Sequence, residues 1–194
     1  MPPKVKITKK EIIDTALSIC RESGYDAVNV RSIALLLGCS TQPIFSNFAT
    51  MDELIASMCK AAHELYLGFI ENEVKSGKYP QYKAFGMAYV RFAKEEKELF
   101  KMLFIRDRGG EDLSPTSDFE ASVEMIMKTN GISRESAELM HLEMWSCVHG
   151  IGVMLATSFL SLEWDLISEM LSDVYQGTRA RHLAKEKNNG SDKN

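Results

Sequence analysis

The chain has 194 residues, 45% of them hydrophobic and 26% charged, a composition typical of a globular protein with one large or two small domains. Its net charge is −4, and the first 60 residues carry seven basic and six acidic side chains. Composition alone therefore does not indicate a nucleic-acid-binding protein. No apolar run is long enough for a signal peptide or reaches the ~20 residues of a membrane span, so we expect a cytoplasmic protein without a membrane partner.

The cysteines carry no sign of a metal or disulfide site. They are scattered along the chain without a C-x-x-C pair, as Cys20, Cys39, Cys59 and Cys147. Three of them fall at apolar positions of helical patterns. This favours buried free thiols in a reducing compartment, and a thiol redox sensor is the alternative.

The first predicted helix begins after a capping box. The Thr8 hydroxyl can accept a hydrogen bond from the N–H of Glu11, whose carboxylate can reach back to Thr8. Apolar residues then recur at helical spacing as far as Ser23. Lys9 and Lys10 lie at the start of this helix, where the helix dipole disfavours cations. That position suits a phosphate contact, although solvated lysines are the simpler alternative.

Residues 29–48 are typical of two short helices joined by a tight turn. Asn29 is a suitable N-cap for the first helix, and Gly38 allows the sharp turn that ends it. Ser40 is placed to cap the second helix, with Pro43 inside its first turn, where a missing N–H costs nothing. The pattern predicts a helix-turn-helix.

The second helix of this motif has two distinct faces. Ile44 and Phe48, four residues apart, would pack it against the preceding helix. The opposite face is left to Thr41, Gln42, Phe45 and Ser46. In a helix-turn-helix this is the face that enters the major groove of DNA, so these side chains are candidates for reading bases.

The rest of the chain predicts only helices. A long helix runs from a second capping box at Thr50 to about Lys75, and Ser76–Pro80 is the first clear break. Two helices follow as far as about Arg106, then a long loop over residues 107–117 and a helix over about 116–129. Ser133 caps a very apolar helix reaching about residue 160, and the last helix covers about 163–182. The fold class is therefore all-α.

The ordered motifs of the first 60 residues resemble the DNA-binding domain of the TetR/AcrR family of transcriptional regulators. The matching pieces are Gly24-Tyr25, Val30-Arg31-Ser32-Ile33-Ala34, Leu37-Gly38-Cys39-Ser40, Ile44-Phe45-Ser46-Asn47-Phe48 and Asp52-Glu53-Leu54. The resemblance implies a homodimer that binds a double-stranded DNA operator and responds to a small-molecule effector. Together with the helix pattern it assigns DNA contacts to Lys9, Lys10, Arg31, Ser40, Thr41, Gln42, Pro43, Phe45, Ser46 and Asn47.

Three positions depart from the family pattern. Position 45 is usually Tyr and position 51 usually Lys, both of which contact phosphates in the family, whereas this chain has Phe45 and Met51. Asn47 stands where His is frequent. Two lost phosphate contacts should lower the affinity for DNA and flatten its dependence on salt.

The C-terminal two-thirds of the chain carry the candidates for ligand binding. His141, Trp145 and His149 lie four residues apart on one predicted helix, and the segment from Trp145 resembles a W-x-x-x-H-G pattern of one branch of the family. Two histidines two turns apart can also bind a metal, but a core, a pocket or an interface is favoured. The resemblance implies an apolar cavity for an apolar or aromatic effector, with a solid methionine-rich core as the alternative. The candidate lining residues are Tyr66, Tyr89, Phe92, Phe104, His141, Trp145 and His149.

We therefore predict three regions: a helix-turn-helix domain over residues 1–54, a helical effector-binding and dimerisation domain over 55–183, and a flexible tail over 184–194. The function predicted is a ligand-responsive repressor that binds a palindromic operator as a homodimer, without a cofactor or a metal. The alternative is a helical ligand-binding or protein-interaction module that has lost DNA binding. An enzyme is disfavoured because the sequence has no nucleophile–base pattern and no phosphate-binding glycine loop.

Overall fold

The computed structural model describes residues 7–106 and 117–191, and the protein is all-helical over these ranges. Within the described ranges, nine α-helices and one 3-10 turn at Tyr25–Ala27 form two compact units. The helices are α1 Lys9–Ser23, α2 Val30–Leu36, α3 Gln42–Asn47, α4 Met51–Lys75, α5 Gln81–Glu95, α6 Lys97–Phe104, α7 Ser117–Asn130, α8 Arg134–Ala156 and α9 Trp164–Ser191. The loop predicted over 107–117 lies almost entirely outside the described residues.

The division between the units falls inside two helices. The first unit contains the described residues up to Gly68 together with Phe92–Arg106, and the second contains Phe69–Arg91 and the chain from residue 117 onward. Both α4 and α5 therefore contribute residues to each unit. A long helix that leaves the first domain and enters the second was predicted from sequence, with the boundary placed at residue 54.

The first unit is built on the buried face of α1. Thr8 and Glu11 form the predicted capping box, in which the Glu11 N–H donates to Thr8 Oγ1 at 3.2 Å and the Thr8 N–H donates to Glu11 Oε2 at 2.8 Å. The inward face of α1 consists of Ile12, Ala16, Leu17 and Cys20, each at most 5% exposed. The spacing of these four residues matches the helical repeat.

Helix α6 packs against α1 in the same unit. Arg21 donates two hydrogen bonds to the Glu96 carboxylate, at 2.8 and 2.9 Å, which is the paired geometry that a guanidinium favours. The same two helices bring the Cys20 thiol to 4.0 Å from Met102 Sδ. Burial raises the pKa of the Cys20 thiol to about 11, so the reactive thiolate is disfavoured there.

The second unit is organised around α8, which packs between α7 and α9. Its buried side includes Ala137, Met140, Met144, Val148 and Ile151. By length and composition alone α8 is also long and apolar enough to cross a membrane. One face of α8 packs against α7 and α9, and a helix that packs in a protein core can meet the same criteria.

Helix α9 continues well past the predicted end at His182. Residues 184–191 belong to this helix, whereas the sequence predicts a flexible tail over 184–194. Glu186 has a structural role: it accepts hydrogen bonds from the N–H and hydroxyl of Ser133 and from the Ser136 hydroxyl, at 2.5–3.1 Å. These bonds lower the pKa of the Glu186 carboxyl to about 2 and fasten α9 to the start of α8.

Candidate functional site

The helix-turn-helix predicted from sequence is present in the first unit. Asn29 caps α2 through its side-chain oxygen, which accepts from the N–H groups of Arg31 and Ser32 at 3.0 Å. Gly38 adopts φ +62°, a backbone conformation that only glycine adopts without cost, and the Cys39 N–H returns to the Ala34 carbonyl at 3.0 Å. The turn between α2 and α3 is therefore tight and internally bonded.

Helix α3 presents the two faces that were predicted. Ile44 and Phe48 point inward and are each 1% exposed. Thr41, Gln42, Phe45 and Ser46 are exposed. One prediction was wrong: Thr41, not Ser40, precedes the helix as its N-cap, and it makes no side-chain capping bond. Ser40 lies exposed in the turn, and Pro43 is half-buried in the first turn of α3.

Two polar side chains of α3 form hydrogen bonds with the protein's own backbone. The Ser46 hydroxyl donates to the Gln42 carbonyl at 2.9 Å. The Asn47 amide is half-buried and donates to the carbonyls of Ile7 at 3.2 Å and Pro43 at 2.8 Å. Asn47 thus holds the segment before α1 against α3. The DNA contact predicted for Asn47 stays a prediction. Thr41 and Gln42 remain as the outward polar groups whose side chains make no hydrogen bond within the described residues.

The three cationic side chains predicted to contact DNA differ in whether they already form an ion pair within the protein. Lys9 Nζ lies 3.2 Å from a Glu53 oxygen and 4.9 Å from the centre of the Phe48 ring. Lys10 forms an exposed pair with Asp14 one turn along α1. Arg31 is exposed and forms no ion pair in the part of the chain that the structure describes. The Arg31 guanidinium is therefore the cation most available to a phosphate.

In the second unit, two tyrosines of α5 bond to the two histidines of α8. Tyr82 Oη lies 2.8 Å from His141 Nδ1, and Tyr89 Oη lies 2.8 Å from His149 Nδ1. Each pair is two helical turns from the other, because the tyrosines are seven residues apart and the histidines eight. The matching spacing aligns α5 and α8 and fixes the orientation of both imidazole rings.

The helices approach closely between these two pairs. Gly86 lies on the same face of α5 as the two tyrosines, and a Cβ placed there would be 3.3 Å from Val148 and 3.4 Å from Leu171. A methyl group would therefore already crowd this position. Along α5, this close approach lies between the two tyrosines.

Aromatic rings extend each tyrosine–histidine pair. The Phe119 ring meets the His141 ring edge-on with centroids 5.0 Å apart, and Trp145 stacks on His149 at 4.9 Å with an interplanar angle of 12°. Trp145 is 46% exposed, so it lies at the surface of the unit rather than deep in its core. Phe119 and Tyr82 were not among the predicted site residues.

Burial lowers the pKa of both His141 and His149 below the ordinary value of 6.5. The unfolded chain therefore binds more protons than the folded one just below pH 6.5, and stability should fall as the pH falls from 6.5 towards 5. Urea unfolding at pH 7.5 and pH 5.5 measures this loss, and His149→Gln should reduce it. The carboxyl groups whose pKa is lowered change the stability mainly below their ordinary pKa of 4.5, so they contribute little to this loss. An unchanged loss in His149→Gln would contradict the assignment to His149.

The remaining three candidate ligand residues gather in the first unit. The Tyr66 ring lies 5.4 Å from Phe92 and 5.5 Å from Phe104, measured between ring centres. The seven residues predicted to line one pocket thus form an aromatic cluster in the first unit and a histidine-containing group in the second. None of the seven lines either of two surface depressions in the first unit, of about 470 and 430 Å³.

A buried ion pair in the second unit was also missed from sequence. Arg91 Nε donates to Glu73 Oε2 at 3.0 Å, and the Glu73 side chain is only 8% exposed. The Arg91 guanidinium also lies 4.5 Å above the Trp164 ring. The three residues come from α4, α5 and α9, and no local pattern marks them as partners.

Comparisons with known proteins show which solved structures share this fold. No family model and no curated protein matches the chain. Solved structures do match: a TetR-like transcriptional regulator from Rhodococcus sp. RHA1 has a TM-score of 0.66 at 14% identity, over 91% of this chain and 96% of that one. A single-substitution variant of TetR from Acinetobacter baumannii AYE, in complex with minocycline, has a TM-score of 0.63 at 14% identity, over 91% and 99%. The multidrug binding protein EbrR complexed with imidazole has a TM-score of 0.58 at 13% identity, over 86% and 93%. The chain therefore has the all-helical fold of TetR-like regulators.

Proposed function

We propose that this chain, which has the fold of TetR-like transcriptional regulators, binds a double-stranded DNA operator and represses transcription in response to a small molecule. The observation that carries the proposal is the outward face of α3, which presents Thr41, Gln42 and Phe45 on a tight helix-turn-helix. An exposed helix of this kind is what enters the major groove in such motifs. Gln42 and Thr41 supply hydrogen-bonding groups for base edges, and Arg31 supplies a phosphate contact.

The Gln42 amide is the side chain best suited to base recognition. A glutamine can bond an adenine through both its oxygen and its nitrogen, which discriminates against other bases by about 1–3 kcal/mol. Gln42→Ala should therefore relax sequence preference more than it weakens non-specific binding. Mobility shifts on a preferred duplex and on random competitor, at several salt concentrations, measure both quantities. Gln81→Ala, an exposed glutamine in the second unit, is the control. Equal losses on both duplexes would make Gln42 a backbone contact.

Dimerisation is proposed through the outward faces of α8 and α9. Leu139 and Leu142 on α8 are 38% and 49% exposed, and Leu166 on α9 is 46% exposed. A four-helix bundle made of α8 and α9 from two protomers would cover these side chains. Gly152 on α8 is buried within the protomer, so a substitution there would not test this interface.

An effector site is proposed in the second unit, around Tyr89, His149 and Trp145. The support is chemical: two aromatic rings and an oriented imidazole suit a small aromatic or apolar molecule. Two of the similar structures are described as holding minocycline and imidazole. Helix α4 runs through both units and is the proposed connection between effector and DNA. By linkage, an effector that weakens DNA binding must itself bind less tightly to the DNA complex, by the same factor.

The second candidate function is a ligand-binding or protein-interaction module without DNA binding. Phe45 has no hydroxyl and Met51 no charge at the positions where the family has Tyr and Lys, and Lys9 is already paired with Glu53. If this candidate is correct, a random duplex pool gives no enriched sequence. Phe45→Tyr with Met51→Lys should then confer salt-dependent DNA binding that the natural chain lacks.

A further inference from the structure

The outward face of α3 carries one large apolar side chain among polar ones. Phe45 is 55% exposed, whereas Ile44 and Phe48 on the same helix are each 1% exposed. An exposed apolar residue needs no explanation on most of a protein surface. Here, however, the ring lies on the face that the proposed function presents to DNA, and Gln42 precedes it by one helical turn.

A phenyl ring has no donor or acceptor, which limits what it can recognise. It cannot bond a phosphate oxygen or the polar edge of a base. In the major groove the apolar feature that distinguishes base pairs is the 5-methyl group of thymine. We infer that the Phe45 ring contacts this methyl group, so that each operator half-site contains a thymine that uracil cannot replace without loss of affinity. This inference rests on the proposed DNA-binding function.

The spacing on α3 supports a specific arrangement. Gln42 and Phe45 are three residues apart, which corresponds to ~4.5 Å along a helix. Neighbouring bases on one DNA strand are about 3.4 Å apart. The amide of Gln42 and the ring of Phe45 therefore suit adjacent base pairs, with adenine under the amide and thymine under the ring. The Ser46 and Asn47 side chains are bonded within the protein, so base recognition by α3 falls to Gln42 and Phe45 together with Thr41.

The test compares thymine with uracil, which differ only in the 5-methyl group. A duplex enriched from a random pool by the natural chain is resynthesised with deoxyuridine at one thymine position at a time. Burying one methyl-sized group contributes about a factor of four in affinity. The natural chain should bind about four-fold more weakly to the duplex with uracil at the contacted position. Phe45→Ala should bind the thymine and uracil duplexes equally.

Two controls separate the reading of thymine from other effects. Phe45→Tyr keeps the ring and should keep the preference for thymine. Leu35→Ala removes an apolar side chain that is 83% exposed on α2, and it should also keep the preference. Circular dichroism checks that Phe45→Ala is folded, which is expected because the ring is exposed.

The possible results test the Phe45–thymine contact and the proposed DNA binding separately. An enriched duplex on which uracil is tolerated at every thymine, or which has no thymine in its half-sites, overturns the inference and leaves DNA binding intact. A preference for thymine that survives in Phe45→Ala overturns it equally. If no sequence is enriched at all, the proposed function fails and the inference fails with it.

Discussion

Leu142→Glu should convert the proposed dimer into monomers. Leu142 is 49% exposed on the outward face of α8, and a symmetric interface contains it twice. A fully buried leucine contributes about 1.5–3 kcal/mol, and a buried carboxylate adds a further cost. The dissociation constant of the dimer should therefore rise about 100-fold or more. Sedimentation velocity at micromolar concentration measures the change, and operator binding should be lost with it.

Leu35→Glu is the matched control for this substitution. Leu35 is 83% exposed on α2 in the first unit, so a carboxylate there should leave sedimentation unchanged. Circular dichroism of Leu142→Glu checks that the protomer stays folded. A natural chain that sediments as a monomer at micromolar concentration would remove the dimer proposal, and so would a Leu142→Glu variant that remains a dimer.

Arg91→Met should cause the largest loss of stability among the substitutions considered. It removes the partner of the Glu73 carboxylate, whose side chain is 8% exposed, and it removes the cation above the Trp164 ring. Leaving a buried charge without its partner costs about 3–5 kcal/mol. For a chain of this size each kcal/mol lowers Tm by about 2–4 °C, so we expect a fall of about 10 °C.

The double variant Glu73→Gln/Arg91→Met identifies the cause of that loss. Without the buried carboxylate, most of the stability should return, because the cost of an unpaired charge is gone. Lys75→Met breaks an exposed pair with Glu71 on the same helix and should change Tm little. If Arg91→Met is no less stable than Lys75→Met, the buried pair does not hold α4, α5 and α9 together.

The features that sequence predicted correctly depend on signals within a few residues. The Thr8–Glu11 capping box, the Asn29 cap, the positive φ of Gly38 and the Ser133 cap each involve neighbours in the chain. Such signals act through local hydrogen bonds and backbone sterics, so they survive in any fold that keeps the helix. They are why the helix-turn-helix and most helix limits could be read in advance.

The features that sequence missed depend on partners far along the chain. Asn47 bonds a carbonyl 40 residues away, His141 a tyrosine 59 residues away, and Glu186 a serine 53 residues away. Nothing near Asn47 indicates that its amide turns inward. The tyrosines of α5 and the histidines of α8 do share a two-turn spacing, and that match was the one available signal for the pairs.

The assignment of the candidate ligand residues to two different units has the same origin. The sequence predicts one site for Tyr66, Phe92, Phe104 and the histidines only because all are aromatic residues on predicted helices. Which helix faces meet is decided by long-range packing, and α4 and α5 each contribute residues to both units. Composition shows that aromatic residues are plentiful, but it does not show which of them share a site.

Sequence enrichment from a random duplex pool tests the central claim most directly. If the chain binds DNA as a dimer through α3, the enriched sequences should contain two inverted half-sites whose centres lie about 10–10.5 base pairs apart, or a multiple of that spacing. Binding to them should weaken steadily as salt is added. Gln42→Ala should enrich a less specific pool. A pool that shows no preferred sequence after repeated rounds with the natural chain would contradict the account.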